Sequence, residues 1–336
     1  MAAKPKVMVL GTGGTISYVT DDRLHLATYS DHGTTVGVAE LLERIPEAGQ
    51  LARVESEDFF REGYLQGYLG PGEWPALARR CTELLRTDPD LAGIAITHGS
   101  AFVEETAYFL HLTVKSDKPV VLTASLRPST GLSTDADSNL LDAIRIAAAP
   151  QAVGRGVLLV LNNEIHSARD VIKRSAFRLE AFGPGELGFL GYSDSDGQVV
   201  FYRSVERAHT TRTPFDLVGV EQLPRVEILF VYPGVDARMV DAVVQTGPAG
   251  LVIATGGGGS MPPDFRGALA RAVRDGIPVV LSSRTGNGRL LERPAFQELG
   301  FIVGDNLAAQ KARILLMVGL SVTKDRDELQ DYFRTY

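Results

Sequence analysis

The feature that most constrains this chain is the alternation of short apolar runs with longer segments of helical periodicity. Runs rich in Val, Ile and Leu, without a polar face, are typical of strands covered on both sides by helices. The strand runs are Val7–Leu10, Ile94–Thr97, Val120–Thr123, Val157–Leu161, Val226–Val231, Leu251–Ala254 and Val279–Ser282. Helical patterns occupy Pro75–Leu85, Val103–Thr113, Ser138–Ala148 and Pro263–Asp275. The alternation predicts an α/β protein in which reactive groups gather at the carboxyl ends of parallel strands.

The length and the strand pattern together predict two domains. A chain of 336 residues is long enough for two domains of ordinary size. The strand pattern lapses over 204–224, so we expect a linker at 207–222. This divides the chain into a larger N-terminal catalytic domain, 1–206, and a smaller C-terminal domain, 223–336. Each is expected to be a mostly parallel sheet flanked by helices.

Composition excludes several classes of partner. The 34 basic and 41 acidic residues give a formal charge of −7, and no Lys/Arg run is dense enough for a nucleic-acid or anionic-membrane patch. The first apolar run is too short for a signal peptide, and no uninterrupted apolar stretch reaches the ~18 residues of a spanning helix. We therefore expect a cytoplasmic protein that binds neither nucleic acid nor membrane. The single Cys81 lies in an amphipathic pattern and is expected to be a buried structural thiol.

The segment "VMVLGTGGTIS", residues 7–17, joins a buried strand to a glycine-rich turn that ends on Thr15. Glycines permit positive φ and let a backbone approach a ligand closely. A dinucleotide-binding fingerprint needs a third glycine where Ile16 stands, and a phosphate loop needs a Lys that is missing. Taken alone, the segment is better interpreted as a simple tight turn.

Two further segments carry candidate reactive groups. In "THGSAFVEE", residues 97–105, Ser100 follows a strand and precedes a helix whose first turn holds Glu104 and Glu105. Acidic residues suit the positive end of a helix, and Ser100 is as well suited to capping as to catalysis. In "ARDVIK", Lys173 follows two apolar residues, and a Lys in apolar surroundings loses its proton more readily. A surface Lys whose stem covers its neighbours is the alternative.

Other segments offer less chemistry. Thr134, with Ser133 and Asp135, is interpreted as a cap for the next helix. The six His residues show no metal-ligand spacing, so we expect neither a metal nor a cofactor.

Together these blocks resemble the bacterial-type L-asparaginase/glutaminase family. The resemblance spans nearly the whole chain, through "GTGGTIS", "THGSAFVEETAYFLHLTV", "ARDVIK", "PVVLSSR" and "QKARILLMVGL". It implies amide hydrolysis through an acyl-enzyme in which Thr15 is the nucleophile and Ser100 and Lys173 form the proton relay. It also implies a lid that brings Tyr29 over the site, although the segment is equally compatible with a plain surface loop. A homotetramer built from dimers is implied as well, with a Glu, weakly matched to Glu292, supplied by a neighbouring subunit.

The chain departs from the family where the substrate's charged groups bind. The family Asp that contacts the α-ammonium is Ala101 here, and the next Thr is Phe102. The segment that grips the α-carboxylate aligns loosely with Gln66 and Gly67, and a small-domain Asn aligns at or near Ser260 or Met261. A buried ammonium without a partner costs several kcal/mol.

We therefore expect cleavage of a carboxamide or lactam that lacks the free α-amino-acid head. Phe102, Met261 and the tyrosines of "EGYLQGYLG" are expected to supply apolar contact, although ordinary packing or a subunit contact explains those tyrosines equally well. One alternative is a true asparaginase/glutaminase in which Gln66, Asp135 or Asp137 restores the lost contacts. Another is a non-catalytic small-molecule sensor on the same scaffold.

Overall fold

The computed structural model describes residues 3–59 and 68–336. Its contacts divide the chain into one compact unit up to Thr213 and a second from Pro214 to Tyr336. Both units are layered α/β structures whose central strands run parallel, so the predicted fold class is confirmed.

The N-terminal unit is built on one large sheet with strand order β12-β11-β8-β7-β6-β5-β1-β4. Strands β4, β1, β5, β6 and β7 are parallel, whereas β8, β11 and β12 add antiparallel pairs at one edge. Two-stranded pairs β2-β3 and β9-β10 lie outside this sheet. The strands are β1 Lys6–Gly11, β2 Tyr18–Val19, β3 Thr34–Thr35, β4 Arg53–Asp58, β5 Leu91–Thr97, β6 Val120–Thr123, β7 Val157–Leu161, β8 Glu164–Ser167, β9 Ile172–Lys173, β10 Phe182–Gly183, β11 Gly191–Ser193 and β12 Val199–Phe201.

The helices of this unit differ in how their apolar residues are arranged. Helix α4 is amphipathic and buries Trp74, Leu77, Cys81 and Leu85 along one stripe, as helical periodicity requires. Helix α5 is apolar on nearly all sides and is almost entirely buried. The helices are α1 Tyr29–His32, α2 Val38–Glu43, α3 Ala48–Leu51, α4 Trp74–Thr87, α5 Val103–Thr113 and α6 Ala136–Ala147.

The C-terminal unit is a smaller parallel sheet in the order β13-β14-β15-β16, flanked by helices. Its apolar core includes Phe265, Leu269, Phe296 and Phe301. The elements are β13 Val226–Phe230, α7 Ala237–Val244, β14 Gly250–Thr255, α8 Pro263–Arg274, β15 Val279–Ser283, α9 Pro294–Gln297, β16 Ile302–Ala308, α10 Ala309–Leu320 and α11 Arg326–Thr335. Among the described residues, no helix combines the length and apolar character needed to cross a bilayer.

Strand order places the candidate reactive loops side by side. Strands β1 and β5 are adjacent and parallel, with Gly11 opposite Thr97 at their carboxyl ends. The loop that leads to Thr15 follows β1, and the loop that contains Ser100 follows β5. Because parallel strands end at the same edge of a sheet, these two loops share one edge.

Candidate active site

The loop after β1 is fixed by contacts with the end of β5. The backbone N–H and the hydroxyl of Thr12 both donate to the carbonyl of Thr97, at 3.1 and 2.6 Å. Gly14 has φ of +93°, and a Cβ there would lie 2.3 Å from the Cα of Gly99. Only glycine fits this position, since the two backbones are in direct contact. Thr15 follows, at the start of a short 3-10 helix, and is only 8% exposed.

The hydroxyl of Thr15 pairs with a tyrosine from the next segment. Its Oγ lies 2.7 Å from Oη of Tyr29, and either oxygen can donate. The Tyr29 ring packs edge-on against Tyr18, with centroids 5.0 Å apart. The structure thus brings the predicted lid tyrosine directly onto the predicted nucleophile.

Ser100 and Lys173 form a second hydrogen-bonded pair. Nζ of Lys173 donates to Oγ of Ser100 at 3.0 Å, and the same Nζ lies 5.8 Å from the ring centre of Phe182. Burial lowers the pKa of Lys173, and the carboxylate of Glu104 partly opposes this by favouring the charged form. A lysine with a lowered pKa is neutral more often near neutral pH, as a proton acceptor must be.

A buried hydrogen-bonded chain fixes the Ser100 turn. Nδ1 of His98 lies 2.9 Å from the carbonyl oxygen of Gly99, which can only accept, so Nδ1 carries the proton. Nε2 therefore accepts from the hydroxyl of Thr106 at 3.0 Å, and that hydroxyl accepts from the indole N–H of Trp74 at 2.9 Å. Burial lowers the pKa of His98 to about 4, which keeps the ring neutral. His98 thus acts as a fixed structural hydrogen-bonding group at the turn.

The two pairs open on one cavity of about 280 Å³. Among the described residues the lining contains no carboxylate, and its one charged side chain is a lysine. The polar lining residues are Thr15, Tyr18, Tyr29, Ser30, Tyr68, Ser100 and Lys173. The others are Gly14, Gly99, Ala101, Leu126, Ala176 and Phe177.

The remaining predicted binding residues differ in whether the structure places them at the cavity. Ala101 lines the cavity, and Phe102 packs against the lining residue Tyr68 with ring centres 5.2 Å apart. Gln66 and Gly67 lie outside the described residues. Met261 belongs to the C-terminal unit, where it packs partly buried against the apolar core, and its binding role stays a prediction.

Acidic residues considered as replacements for the missing Asp are engaged elsewhere. Asp135 accepts from the backbone N–H groups of Leu126 and Arg127, and Asp137 pairs with Arg44 at 3.0 Å. Glu292, which the resemblance matched instead to a Glu from a neighbouring subunit, binds Arg334 within the C-terminal unit. Among the described residues no three His, Cys, Asp or Glu side chains gather in a way that could hold a metal ion.

Sequence reasoning did not find several residues of the site. Tyr18, Ser30, Leu126, Ala176 and Phe177 line the cavity without belonging to any motif. The available signal for Phe177 was its aromatic ring only four residues after a candidate base, Lys173. In the structure Phe177 is 70% exposed. Cys81 is fully buried, and burial raises the pKa of its thiol to about 12, which confirms the prediction of a structural thiol.

Two family models cover most of the chain. "Asparaginase, N-terminal" matches residues 6–207, and "Glutaminase/Asparaginase C-terminal domain" matches residues 225–333. The chain belongs to the asparaginase family. The resemblance on which the sequence interpretation rested is therefore confirmed, as is a hydrolase of carbon–nitrogen bonds other than peptide bonds.

Individual asparaginases match over almost the full length. L-asparaginase 2 of Bacillus subtilis is 39% identical, covering 99% of this chain and 87% of its own. The probable periplasmic L-asparaginase of Haemophilus influenzae is 34% identical, covering 99% and 93%. The crystal structure of the probable cytoplasmic L-asparaginase from Campylobacter jejuni superposes with a TM-score of 0.93 at 36% identity, covering 99% and 100%. Because these names differ in compartment, the cytoplasmic location of the present asparaginase-family chain stays a prediction.

Proposed function

We propose that this asparaginase-family protein hydrolyses a small carboxamide or lactam that carries no free α-amino group, through an acyl-enzyme on Thr15. The observation that carries the proposal is the convergence of the Thr15–Tyr29 and Ser100–Lys173 pairs on one cavity whose described lining has no acid. The two hydrogen-bonded pairs support the reaction, and the absence of an acid from the described lining supports the substrate class.

In the proposed first step, Oγ of Thr15 attacks the amide carbon. Its proton passes through Ser100 to neutral Lys173, while Tyr29 orients the attacking hydroxyl. The C–N bond breaks as the nitrogen takes up the proton held by Lys173, so that ammonia or an amine leaves, or the ring opens in a lactam, and Lys173 is neutral again. Water, deprotonated by the same base, then attacks the ester carbon, the ester C–O bond breaks, the base returns the proton to Oγ of Thr15, and the carboxylic acid leaves. A hydroxyl needs such a base because it is a weak nucleophile at its free pKa, and the base contributes ~10²–10⁴ in rate.

The charge of the cavity supports a substrate without an ammonium group. An α-ammonium placed beside Ala101 would find no carboxylate among the described lining residues. A desolvated charge without a partner costs several kcal/mol. Leu126, Ala176 and Phe177 instead offer contact to apolar atoms.

Hydrolysis of asparagine or glutamine is the second candidate. It is favoured by the full-length similarity to proteins named as L-asparaginases. For this activity the ammonium needs a partner that lies outside the described lining, as the earlier alternative with Gln66 requires.

Release of ammonia or amine from a substrate panel tests the proposal. The panel contains asparagine, glutamine, the same amides without the α-amino group, and small lactams. We expect the best kcat/KM for a compound without the amino group, and asparagine as the best substrate would contradict this. Thr15→Val should abolish turnover while retaining ligand binding. Binding without turnover in the parent protein on every compound would favour the sensor alternative.

We also propose that the protein is a cytoplasmic homo-oligomer, a dimer or a tetramer, with no nucleic-acid or membrane partner. The family resemblance supports the oligomer, and the acidic net charge supports the absence of polyanionic partners. Light scattering coupled to size-exclusion chromatography measures the assembly directly. A monomer at micromolar concentration would contradict it.

A further inference from the structure

The carboxylate of Glu104 joins two parts of the chain that are far apart in sequence. Its Oε2 accepts a hydrogen bond from the backbone N–H of Lys173, 69 residues away. The Glu104 side chain is buried, with 6% exposure, and it lies in the first turn of α5. That helix begins three residues after Ser100, so Glu104 and Ser100 are carried by one continuous short segment.

Lys173, in contrast, lies on a very short element. Strand β9 consists of Ile172 and Lys173, pairs with β10 and takes no part in the large sheet. The neighbouring N–H of Arg174 donates to Ala181 on the β10 side at 2.6 Å. Because neighbouring N–H groups point to opposite sides of a strand, the N–H of Lys173 points away from β10, where it meets Glu104.

We propose that Glu104 is a positioning residue that fixes the backbone of Lys173 against the Ser100 segment and thereby sets the hydrogen bond between Nζ and Oγ. The inference rests on the proposed function, in which Ser100 and Lys173 form the proton relay. Glu104 is not among the residues that line the cavity, so its carboxylate is not a binding group for a substrate ammonium.

The charge of Glu104 has a second effect. Its carboxylate favours the charged form of Lys173 and so limits the lowering of the Lys173 pKa by burial. With Ala101 in place of the family Asp, Glu104 is the acid of the described chain that acts on this lysine. Glu104 therefore influences both where the base lies and at which pH it loses its proton.

Two substitutions separate these effects. Glu104→Gln retains an oxygen that can accept from the Lys173 N–H but removes the charge. The pKa of Lys173 should then fall, so the acidic limb of kcat/KM should move to lower pH while kcat at the plateau stays within about threefold. Glu104→Ala removes the acceptor as well, and kcat should fall by ~10–100-fold with little change in KM, as expected when a catalytic group is misplaced by about 1 Å.

Glu105→Gln is the matched control, since it removes the same charge from the same helical turn. It should leave the pH limb unchanged. Thermal unfolding of each variant identifies any general loss of structure. An unchanged pH limb in Glu104→Gln together with full kcat in Glu104→Ala would overturn the inference.

A readout independent of turnover separates this inference from the proposed function. The reactivity of Lys173 toward acetic anhydride, followed by mass spectrometry across pH, reports the pKa of its Nζ. A lower pKa in Glu104→Gln but not in Glu105→Gln supports the inference even if no amide in the panel is cleaved, a result that would count against the proposed function alone. An unchanged pKa in Glu104→Gln, together with unchanged Lys173 reactivity in Glu104→Ala, contradicts the inference even if the parent protein is active.

Discussion

Gly14 and Gly99 lie with their backbones in contact, so that a Cβ on Gly14 would come within 2.3 Å of Cα of Gly99. This contact is where the loop leading to Thr15 meets the loop that carries Ser100. The two backbones are also held together by hydrogen bonds, since the N–H and the hydroxyl of Thr12 both donate to the carbonyl of Thr97. The close approach of the two candidate reactive loops therefore requires a residue without a side chain at position 14.

Gly14→Ala should destabilise the protein and separate the two loops. Its φ of +93° and ψ of −174° lie in a region that is essentially restricted to glycine and costs a residue with a Cβ ~1–3 kcal/mol, and the overlap with Gly99 adds ~1–3 kcal/mol. Urea unfolding and turnover measure the two consequences. Gly49→Ala is the control, because Gly49 lies in a helix with nothing within 4 Å of its ideal Cβ. Equal stability of the two variants would show that the contact is not tight.

The sequence was sufficient to predict the elements that have regular apolar patterns. Strands β6 and β7 and helix α5 have the predicted bounds, because both strands are buried along their whole length and the helix is buried except at Glu105. Strand β4 was not predicted, since its sequence "RVESED" lies at a sheet edge and is mostly polar. Helix α6 begins two residues before its predicted start, at Ala136. Its N-cap residue is Asp135, which makes no side-chain capping bond, and Thr134, the predicted cap, lies one position earlier and accepts from the Ala136 N–H.

Only those residues of the candidate site that belong to a sequence motif could be predicted. Thr15, Ser100 and Lys173 stand in motifs, whereas Leu126 and Phe177 enter the cavity through loop conformations that no local pattern encodes. Glu104 was visible in the sequence only as an acid at a helix start. Its hydrogen bond to Lys173 joins residues that are 69 positions apart in the chain. Local sequence spacing therefore cannot predict this bond.

Ala101→Asp should increase discrimination in favour of asparagine. The new carboxylate would lie in the cavity wall, where it can pair with an α-ammonium, and kcat/KM for asparagine relative to the amide without the amino group should rise at least ~10-fold. The same charge raises the pKa of Lys173, so the acidic limb of the pH profile should move to higher pH. Ala101→Asn supplies a side chain of the same size without the charge. A gain of equal size in both variants would mean that shape, not charge, controls the preference.

Thr106→Val should destabilise the protein by about 2–6 kcal/mol. The hydroxyl of Thr106 accepts from the indole N–H of Trp74 and donates to Nε2 of His98, and all three residues are buried. Its loss leaves two buried polar groups without a partner, each costing ~1–3 kcal/mol. The free energy of unfolding in urea measures the effect. Thr106→Ser retains the hydroxyl and should lose well under half as much, and an equal loss would assign the effect to the methyl group instead.

The last prediction concerns stability in acid. His98 is fully buried, and burial lowers its pKa from 6.5 to about 4 in the folded protein. Between these two values the unfolded chain binds a proton at His98 that the folded protein does not. The contribution of His98 to stability is therefore complete above pH ~6.5 and is lost as the pH falls toward and through 4, with a slope of up to ~1.4 kcal/mol per pH unit.

Carboxylates complicate the total slope, since burial raises the pKa of Asp135 and Asp142 and these groups act in the opposite sense. The difference between the parent and His98→Gln isolates the histidine, because both proteins share the same acids. Between pH 6.5 and 4 we expect the free energy of unfolding to fall more steeply in the parent than in the variant. The difference in slope should correspond to about one additional proton bound on unfolding. Parallel pH profiles for the two proteins would mean that His98 already takes up its proton in the folded state, contrary to the fixed Nδ1–H tautomer that holds the Gly99 carbonyl.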